Sequence, residues 1–374
     1  MNMNILHVMF SPGWGGLERY AIDQAKGMAE RGHQIKFICR KNTDSARNLA
    51  HTGIPNLELD PIKYIDLRAM MAIRNTAKEM GASILHLHHS ADLGLAFPAL
   101  IGMPHVRLIF STYMYIPAPK TDLYHRLEYG RVSRVLTLSD LMTENARQNL
   151  PIEPSRAMTM PYGIRMESFD PDTTPRGAIR DQFNISRDRI IIGLLGRLDP
   201  FKGQVEMIQA MPAILEKFPG ALLALVGNET PELEGIYQKK LVAEAQRLGM
   251  QDHVLFTGVA KNPALFMADM DVYVIPSYHE TFGMSAIEAM AMRLPVVASD
   301  TGGLPEVLDH GGCGLLAKAK DPASFANAVI RYLTDERLRN TMGRLGREKA
   351  LALYDRRKSM ERLENIYREA VEQA

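Results

Sequence analysis

Short runs of β-branched and leucine residues alternate along this chain with longer amphipathic stretches. "NILHVMF" from Asn4 is largely apolar, "LERYAIDQAKGMAERG" repeats apolar residues at helical spacing up to Gly32, and "HQIKFIC" is apolar again. Unbroken apolar runs of strand length, separated by helices, mark parallel strands covered on both faces. The rhythm restarts near Arg189 with the strand "RIIIGLLG", the loop "RLDPFKG", the helix "QVEMIQAMPAILEKF" and the strand "ALLALVG". We therefore expect an α/β protein built from two similar open sheets. The polar stretch "ESFDPDTTPRGAIRDQF", with Pro171 and Pro175, reads as the linker, which predicts a first domain over residues 1–172 and a second over 173–355. The tail from Asp335 is charged and helical, with apolar positions at Leu351, Tyr354, Leu363, Ile366 and Tyr367, so a helix over about 356–374 is expected to fold back onto the first domain.

Composition narrows the function. A chain of 374 residues with 46% hydrophobic and 23% charged content can bury two full cores. A net charge of +1, with acids and bases interspersed, gives no drive toward nucleic acid. Cys39 and Cys313 stand alone in apolar runs, which supports neither a disulfide framework nor a thiolate metal cluster and fits a reducing cytoplasm. The start "MNMNILHVMF" has no basic leader region, and no apolar run approaches the roughly 20 residues needed to span a bilayer.

In open parallel sheets ligands bind beyond the carboxyl ends of the strands, so the loops there are the places to search. Ser11 to Gly16 carries three glycines ahead of a helix, which suits either a phosphate at the helix N-terminus or a tight turn. A dinucleotide reading fails, because Glu18 takes the place of the third glycine and the next strand ends in Arg40 and Lys41 rather than an acid. Arg197 and Lys202 follow a buried strand and either clamp a diphosphate or are solvated surface bases. The third loop, "PSYHETFGMSAIEAMAM", places Glu280 before a helix that begins near Gly283, and Glu288 in its second turn. A carboxylate at Glu288 either steadies the helix dipole or accepts two vicinal hydroxyls of a ribose or hexose. Two acids for two polyols and two cations for the phosphates between them describe a nucleotide-sugar.

Glu280 and Glu288 within "ETFGMSAIEAMAMRLPVVAS", followed by "GGLPEVL" and "GGCGLLA", resemble the donor-binding region of retaining glycosyltransferases of family 4. "GGLERY", "GRLDPFKG", "VLTLSD" and "MPYGI" resemble further family motifs in the family's order, so the likeness covers nearly the whole chain. It implies the GT-B fold, two Rossmann-like domains with parallel sheets facing a central cleft. It also implies transfer of a hexose from a nucleoside-diphosphate sugar, for which we prefer a UDP-sugar and leave GDP-mannose open. By resemblance, Arg197, Lys202 and Glu280 carry catalysis. Arg197 and Lys202 neutralise the diphosphate, Glu280 holds the transferred sugar and Glu288 the ribose. Backbone groups of Gly15, Gly16, Phe282, Gly283 and Met284 line the donor site. No cofactor and no metal are implied, the two bases standing in for a cation.

The acceptor is expected on the first domain. Many relatives carry a His after the strand here written "RLIFSTY", where this chain has Tyr113. His86, His88 and His89 in "LHLHHS" end an earlier strand, either as satisfied polar residues or as a metal site, and His88 is a candidate contact. "STYMYIPAPKTDLYHRLEYGR" interleaves tyrosines, Tyr115 among them, with Lys120, Arg126 and Arg131. That mixture suits a glycan, an anionic or lipid-linked acceptor and peripheral contact with the inner face of the cytoplasmic membrane, or else ordinary snorkelling surface residues. An epimerase, a glycan phosphorylase or a non-catalytic sugar-nucleotide binding module would share the architecture. A phosphorylase would need a pyridoxal-binding lysine in its family context, which is not found. The sequence names neither the base and sugar nor the acceptor, the linkage or the oligomeric state.

Overall fold

The structure is a computed structural model and describes residues 2–62, 66–230 and 233–373. It divides into two compact units, the first of Met1–Tyr162 with Arg357–Ala374, the second of Gly163–Arg356. Each is a parallel sheet flanked by helices.

The first unit holds β1 (Asn4–Met9), β2 (Gln34–Arg40), β3 (Asn56–Leu59), β4 (Ile84–Leu87), β5 (Arg107–Ser111), β6 (Val132–Thr137) and β7 (Ala157–Thr159). Their order is β3-β2-β1-β4-β5-β6-β7. Chain direction across the sheet therefore reverses between β1 and β4, which pair in parallel from Ile5 opposite Ile84 to Val8 opposite Leu87. The helix after β1 runs Gly16–Glu30, and Gly32 takes positive φ where the chain turns into β2. The tail forms two helices, Glu336–Leu353 and Arg356–Glu372. Leu363, Ile366 and Tyr367 of the second are buried, and its Glu364 accepts from Arg31 Nε at 2.5 Å in the first unit's own helix. Leu351, read from the sequence as part of the apolar face, is instead 37% exposed.

The second unit holds β8 (Ile191–Leu195), β9 (Leu222–Val226), β10 (Val254–Gly258), β11 (Val272–Ile275), β12 (Val296–Ser299) and β13 (Leu315–Ala317), in the order β10-β9-β8-β11-β12-β13. Here the reversal lies between β8 and β11. The polar stretch 167–183, read from sequence as a linker, is built into this unit. Asp269, 2% exposed, accepts the backbone N–H of Gly177 at 2.6 Å and of Ile179 at 2.9 Å, and Arg347 donates to Asp170 at 2.8 Å. Polarity there serves buried hydrogen bonds rather than chain flexibility.

Among the described residues no helix is long and apolar enough to cross a membrane.

Candidate active site

The second unit's switch point gathers the acids and bases singled out above. β8 ends at Leu195, and the chain runs through Arg197 into a single 3-10 turn, Pro200–Lys202, before the helix Gln204–Lys217. Asp199 caps that turn by accepting the Phe201 N–H at 2.9 Å, and Gln204 donates to the Arg197 carbonyl at 2.8 Å. Gly203 has φ +73, and a Cβ there would lie 2.2 Å from the Pro276 carbonyl oxygen. Only glycine lets the lysine turn lie directly against the end of β11. A second tie is the Tyr278 N–H, which donates to the Phe201 carbonyl at 2.8 Å.

These ties bring Lys202 Nζ to 2.6 Å from Glu280 Oε2, with the two side chains 27% and 21% exposed. The Glu280 backbone is held from the other side, since its carbonyl accepts the Gly303 N–H at 2.9 Å. Gly302, at φ +59, passes so close that a Cβ would sit 1.9 Å from the same carbonyl oxygen. The carboxylate therefore stands on a fixed backbone and the ammonium on a fixed turn. Arg197, five positions before Lys202 on the same loop, is exposed. A small hollow of about 10 Å³, roughly the space of one water, lies between Leu195, Lys202, Ser277, Glu280 and Ser285.

The helix after the loop is Met284–Ala291, so Glu288 does fall in its second turn. Gly283 is hemmed in by the protein itself, the Leu304 Cδ2 standing 2.6 Å from where its Cβ would be. Phe282 is 4% exposed and its ring meets Tyr354 edge-on at 5.8 Å, so its side chain belongs to the core. Two further groups had no signal in the sequence. Tyr273 is fully buried in β11 and its hydroxyl donates to the Leu195 carbonyl at 3.3 Å. Burial, with the charges of Glu288 and Glu280 adding to it, holds that phenol well above its ordinary pKa, so it stays a neutral donor beside both acids. Tyr278 donates to Glu206, and Lys320 Nζ lies 4.7 Å from the centre of its ring.

In the first unit the glycine loop is less open than its sequence suggests. Glu18, 6% exposed, accepts the Gly15 N–H at 2.7 Å and the Ser11 hydroxyl at 2.5 Å. The residue that spoiled the dinucleotide pattern thus occupies the helix N-terminus with its own carboxylate, while Gly16 is exposed. His88 and Tyr113 do meet, His88 Nδ1 lying 2.9 Å from the Tyr113 hydroxyl. His88 Nε2 is 2.8 Å from Nδ1 of His7, a residue that reads in sequence as one polar interruption of an apolar strand. His86 bonds Ser111 at 2.8 Å and Tyr367 at 2.5 Å. His7, His86 and His88 offer ligand atoms within 4.8 Å of one another, but a metal there would have to displace those hydrogen bonds. His89 stands apart, 3.5 Å from Asp92.

Tyr115 and Arg126 are exposed and Lys120 is half-buried. Tyr115 is 38% exposed, and Arg126, exposed on the helix Leu123–Gly130, donates to the Thr121 carbonyl at 3.0 Å. Arg131 is not one of the surface bases, because it donates to the carbonyls of Met103 and Val106, both at 2.8 Å.

Fold and site together define a two-Rossmann GT-B protein with a paired acid and base at the second sheet's switch point. HepE from Anabaena, solved in complex with UDP, superposes with a TM-score of 0.85 at 22% identity over 97% of this chain and 99% of that one, which establishes the fold. The model of glycosyl transferases group 1 matches residues 175–349, and that of Glycosyltransferase Family 4 matches residues 14–168. The chain belongs to the group 1, family 4 glycosyltransferases and is a glycosyltransferase. N-acetyl-alpha-D-glucosaminyl L-malate synthase of Bacillus anthracis is 27% identical over 95% of this chain and 94% of that protein. D-inositol 3-phosphate glycosyltransferase of Saccharomonospora viridis is 26% identical over 96% of this chain and 90% of that protein.

Proposed function

We propose that the protein moves a hexose-type sugar, with retention and without a metal ion or other cofactor, from a nucleoside-diphosphate sugar to a hydroxyl of a glycan, glycolipid or small molecule. The observation that carries this reading is the Lys202–Glu280 contact of 2.6 Å on two locked loops at the β8/β11 switch point. An ammonium has three protons to give. One holds Glu280 toward the sugar hydroxyls, and two are left for diphosphate oxygens, to which the exposed Arg197 of the same loop adds its fork. Glu288 takes the ribose hydroxyls, and the backbone of Phe282, Gly283 and Met284 borders the sugar. UDP is favoured over GDP because HepE, of like fold, was solved with UDP and with UDP-glucose.

Thermal unfolding across UDP-, GDP-, ADP- and CMP-sugars tests this. One UDP-sugar is expected to raise the melting temperature, and Glu280→Ala and Lys202→Ala are each expected to shrink the rise. A rise unchanged in both variants would remove these residues from the donor site.

Work at a membrane surface has its own support. The helix Leu123–Gly130 buries Glu128 and Tyr129 but turns Leu123, Tyr124 and Leu127 outward at 74%, 49% and 53% exposure, and Met114, in the segment that precedes it, is 71% exposed. An apolar stripe edged by Lys120 and Arg126 is how a peripheral protein meets anionic lipid at the inner face of a cytoplasmic membrane. Vesicles containing phosphatidylglycerol are expected to retain the protein, and Leu123→Ser with Leu127→Ser to release it. Retention that ignores the double variant would rule this face out.

A further inference from the structure

A hollow of about 230 Å³ lies at the amino ends of the first unit's strands, and four arginines line it. Arg107 is the first residue of β5, Arg131 stands directly before β6, Arg134 is within β6, and Arg156 stands directly before β7. Ligand sites of open parallel sheets belong at the opposite, carboxyl end, so the fold's usual cleft does not account for this cluster. All four side chains are half-buried.

Three of the guanidiniums are anchored, but only by neutral groups. Arg131 donates to the carbonyls of Met103 and Val106, both at 2.8 Å, and Arg156 to that of Val132 at 3.1 Å. Arg134 donates to the Ser133 carbonyl at 2.9 Å and to Gln373 Oε1 at 2.6 Å. The fourth is less satisfied, because Arg107 Nε is buried with no hydrogen-bond partner. Among the described residues no carboxylate lines the hollow, and none of the four arginines is in an ion pair. Other poorly exposed arginines of the chain do have acids. Arg347, at 15% side-chain exposure, lies 2.8 Å from Asp170, and Arg180, at 9%, lies 3.7 Å from Asp271. Carbonyls hold a guanidinium in place but cancel none of its charge. Burial lowers the pKa of Arg131 and the charge of Arg107 lowers it further, so these two cations act on one another.

We propose that this hollow is a binding site for a small multivalent oxyanion, a phosphate or diphosphate, free or as a small ester. Guanidinium forks pair with phosphate oxygens, and such an anion supplies both the missing countercharge and an acceptor for the orphaned Arg107 donor. The space is below the roughly 300–1,000 Å³ of drug-sized sites, so it suits the phosphate group itself rather than a whole nucleotide. Ala370 and Gln373, at the end of the tail helix Arg356–Glu372, also line the hollow, so a bound anion fastens that end to the sheet. The site requires nothing of the glycosyltransferase reading.

Isothermal titration of the full chain with phosphate and with pyrophosphate, at constant ionic strength, tests it. Lys202→Ala serves as background control, since it removes a base of the candidate donor site. At least one of the two anions is expected to bind wild type and Lys202→Ala alike, and about tenfold or more weakly in Arg107→Gln and in Arg156→Gln, as for a lost charge-assisted hydrogen bond. Without the anion, Arg107→Gln is expected to melt no lower than wild type, because it removes a like charge and an unpaired donor together. With it, amide hydrogen exchange at the end of the tail helix is expected to slow in wild type and not in Arg107→Gln. Binding of neither anion, binding indifferent to both arginine variants, binding abolished by Lys202→Ala, or binding that leaves exchange of the tail unchanged would overturn the proposal. So would Arg107-dependent flotation with vesicles containing phosphatidic acid in the absence of soluble binding, which would give the phosphate a lipid source.

Discussion

Lys202→Ala is expected to lower kcat/KM for hexose transfer by about 10²–10³-fold with the melting temperature nearly unchanged. In the proposed reaction the glycosidic bond's electron pair goes to the diphosphate oxygen while the acceptor oxygen bonds to the sugar carbon, and the acceptor hydroxyl's proton passes to that leaving group. On that reading negative charge grows at the oxygens assigned to Lys202 and Arg197, and a hydrogen-bond donor already in place there needs no reorganisation at the moment of reaction. Removing one such donor typically costs about 2.7–4 kcal/mol of transition-state stabilisation. Stability is a different matter. The pair is partly solvated, at 27% and 21% side-chain exposure, and a contact of that kind adds at most about 1 kcal/mol. Glu280→Gln is expected to fall by a similar factor, because the amide keeps the shape but gives Lys202 no charge to pin. If the two groups act as a unit, the double variant is no worse than the poorer single one. Initial rates of nucleotide release with the donor found by the thermal screen measure all three. Multiplicative losses in the double variant would separate the two residues' roles, and a Lys202→Ala enzyme within a few-fold of wild type would remove the lysine from catalysis.

What the sequence made legible follows from which physics is local. The continuous apolar runs at β1, β2, β8 and β9 are buried on both faces, so they read as strands without any knowledge of their neighbours. β3 did not, because Asn56, Leu57 and Glu58 sit exposed on the sheet edge and the segment "NLEL" carries no strand pattern. Arg197, Lys202, Glu280 and Glu288 were recognisable by type and by position after strands. That Lys202 and Glu280 touch across 78 positions is a property of sheet order, since it requires β8 beside β11, which no local pattern states. His7 was missed for the same reason. One histidine in an apolar strand has no meaning until β4 and the tail helix bring His86, His88 and Tyr367 to it. Arg131 was misread in the opposite sense, because a base after a helix looks solvated until the carbonyls of Met103 and Val106 are seen to converge on it. Exposed features failed differently. Leu351 fits the helical period of its neighbours, and period alone does not say where the buried face ends.

The histidine cluster makes the second large prediction, a loss of stability in mild acid. His7, His86 and His88 are at most 1% exposed, and burial drives the pKa of His7 down to about 3 and those of His86 and His88 well below the ordinary value. Each ring has neighbours that need it neutral. His7 and His88 share one hydrogen bond, and a positive charge on any of the three repels the others. The unfolded chain binds protons at these sites from about pH 6.5 downward, whereas the folded chain resists until His7 reaches about 3. The stability they contribute is therefore complete above pH 6.5 and drains away as the pH falls toward 3. His7 alone amounts to about 2 kcal/mol by pH 5, and the other two act in the same direction. That is a sizeable share of the 5–15 kcal/mol typical of a folded domain. Depressed carboxylates, such as Glu244 at about 2, lose their contribution only below about pH 4.5, so between pH 6.5 and 5 the loss comes from imidazoles, while Glu128, its carboxyl raised by burial, works in the opposite sense. His33 titrates there too, also held down by burial, with Glu364 opposing it. Trp14 is the chain's single tryptophan and lies in the first unit, so its fluorescence reports that unit. Its unfolding midpoint in urea is expected to drop steeply between pH 7 and pH 5, and less steeply in His7→Gln, which keeps a polar side chain but cannot charge. An equal slope in the variant would show that the acid sensitivity resides elsewhere, and that the cluster can take up a proton while folded.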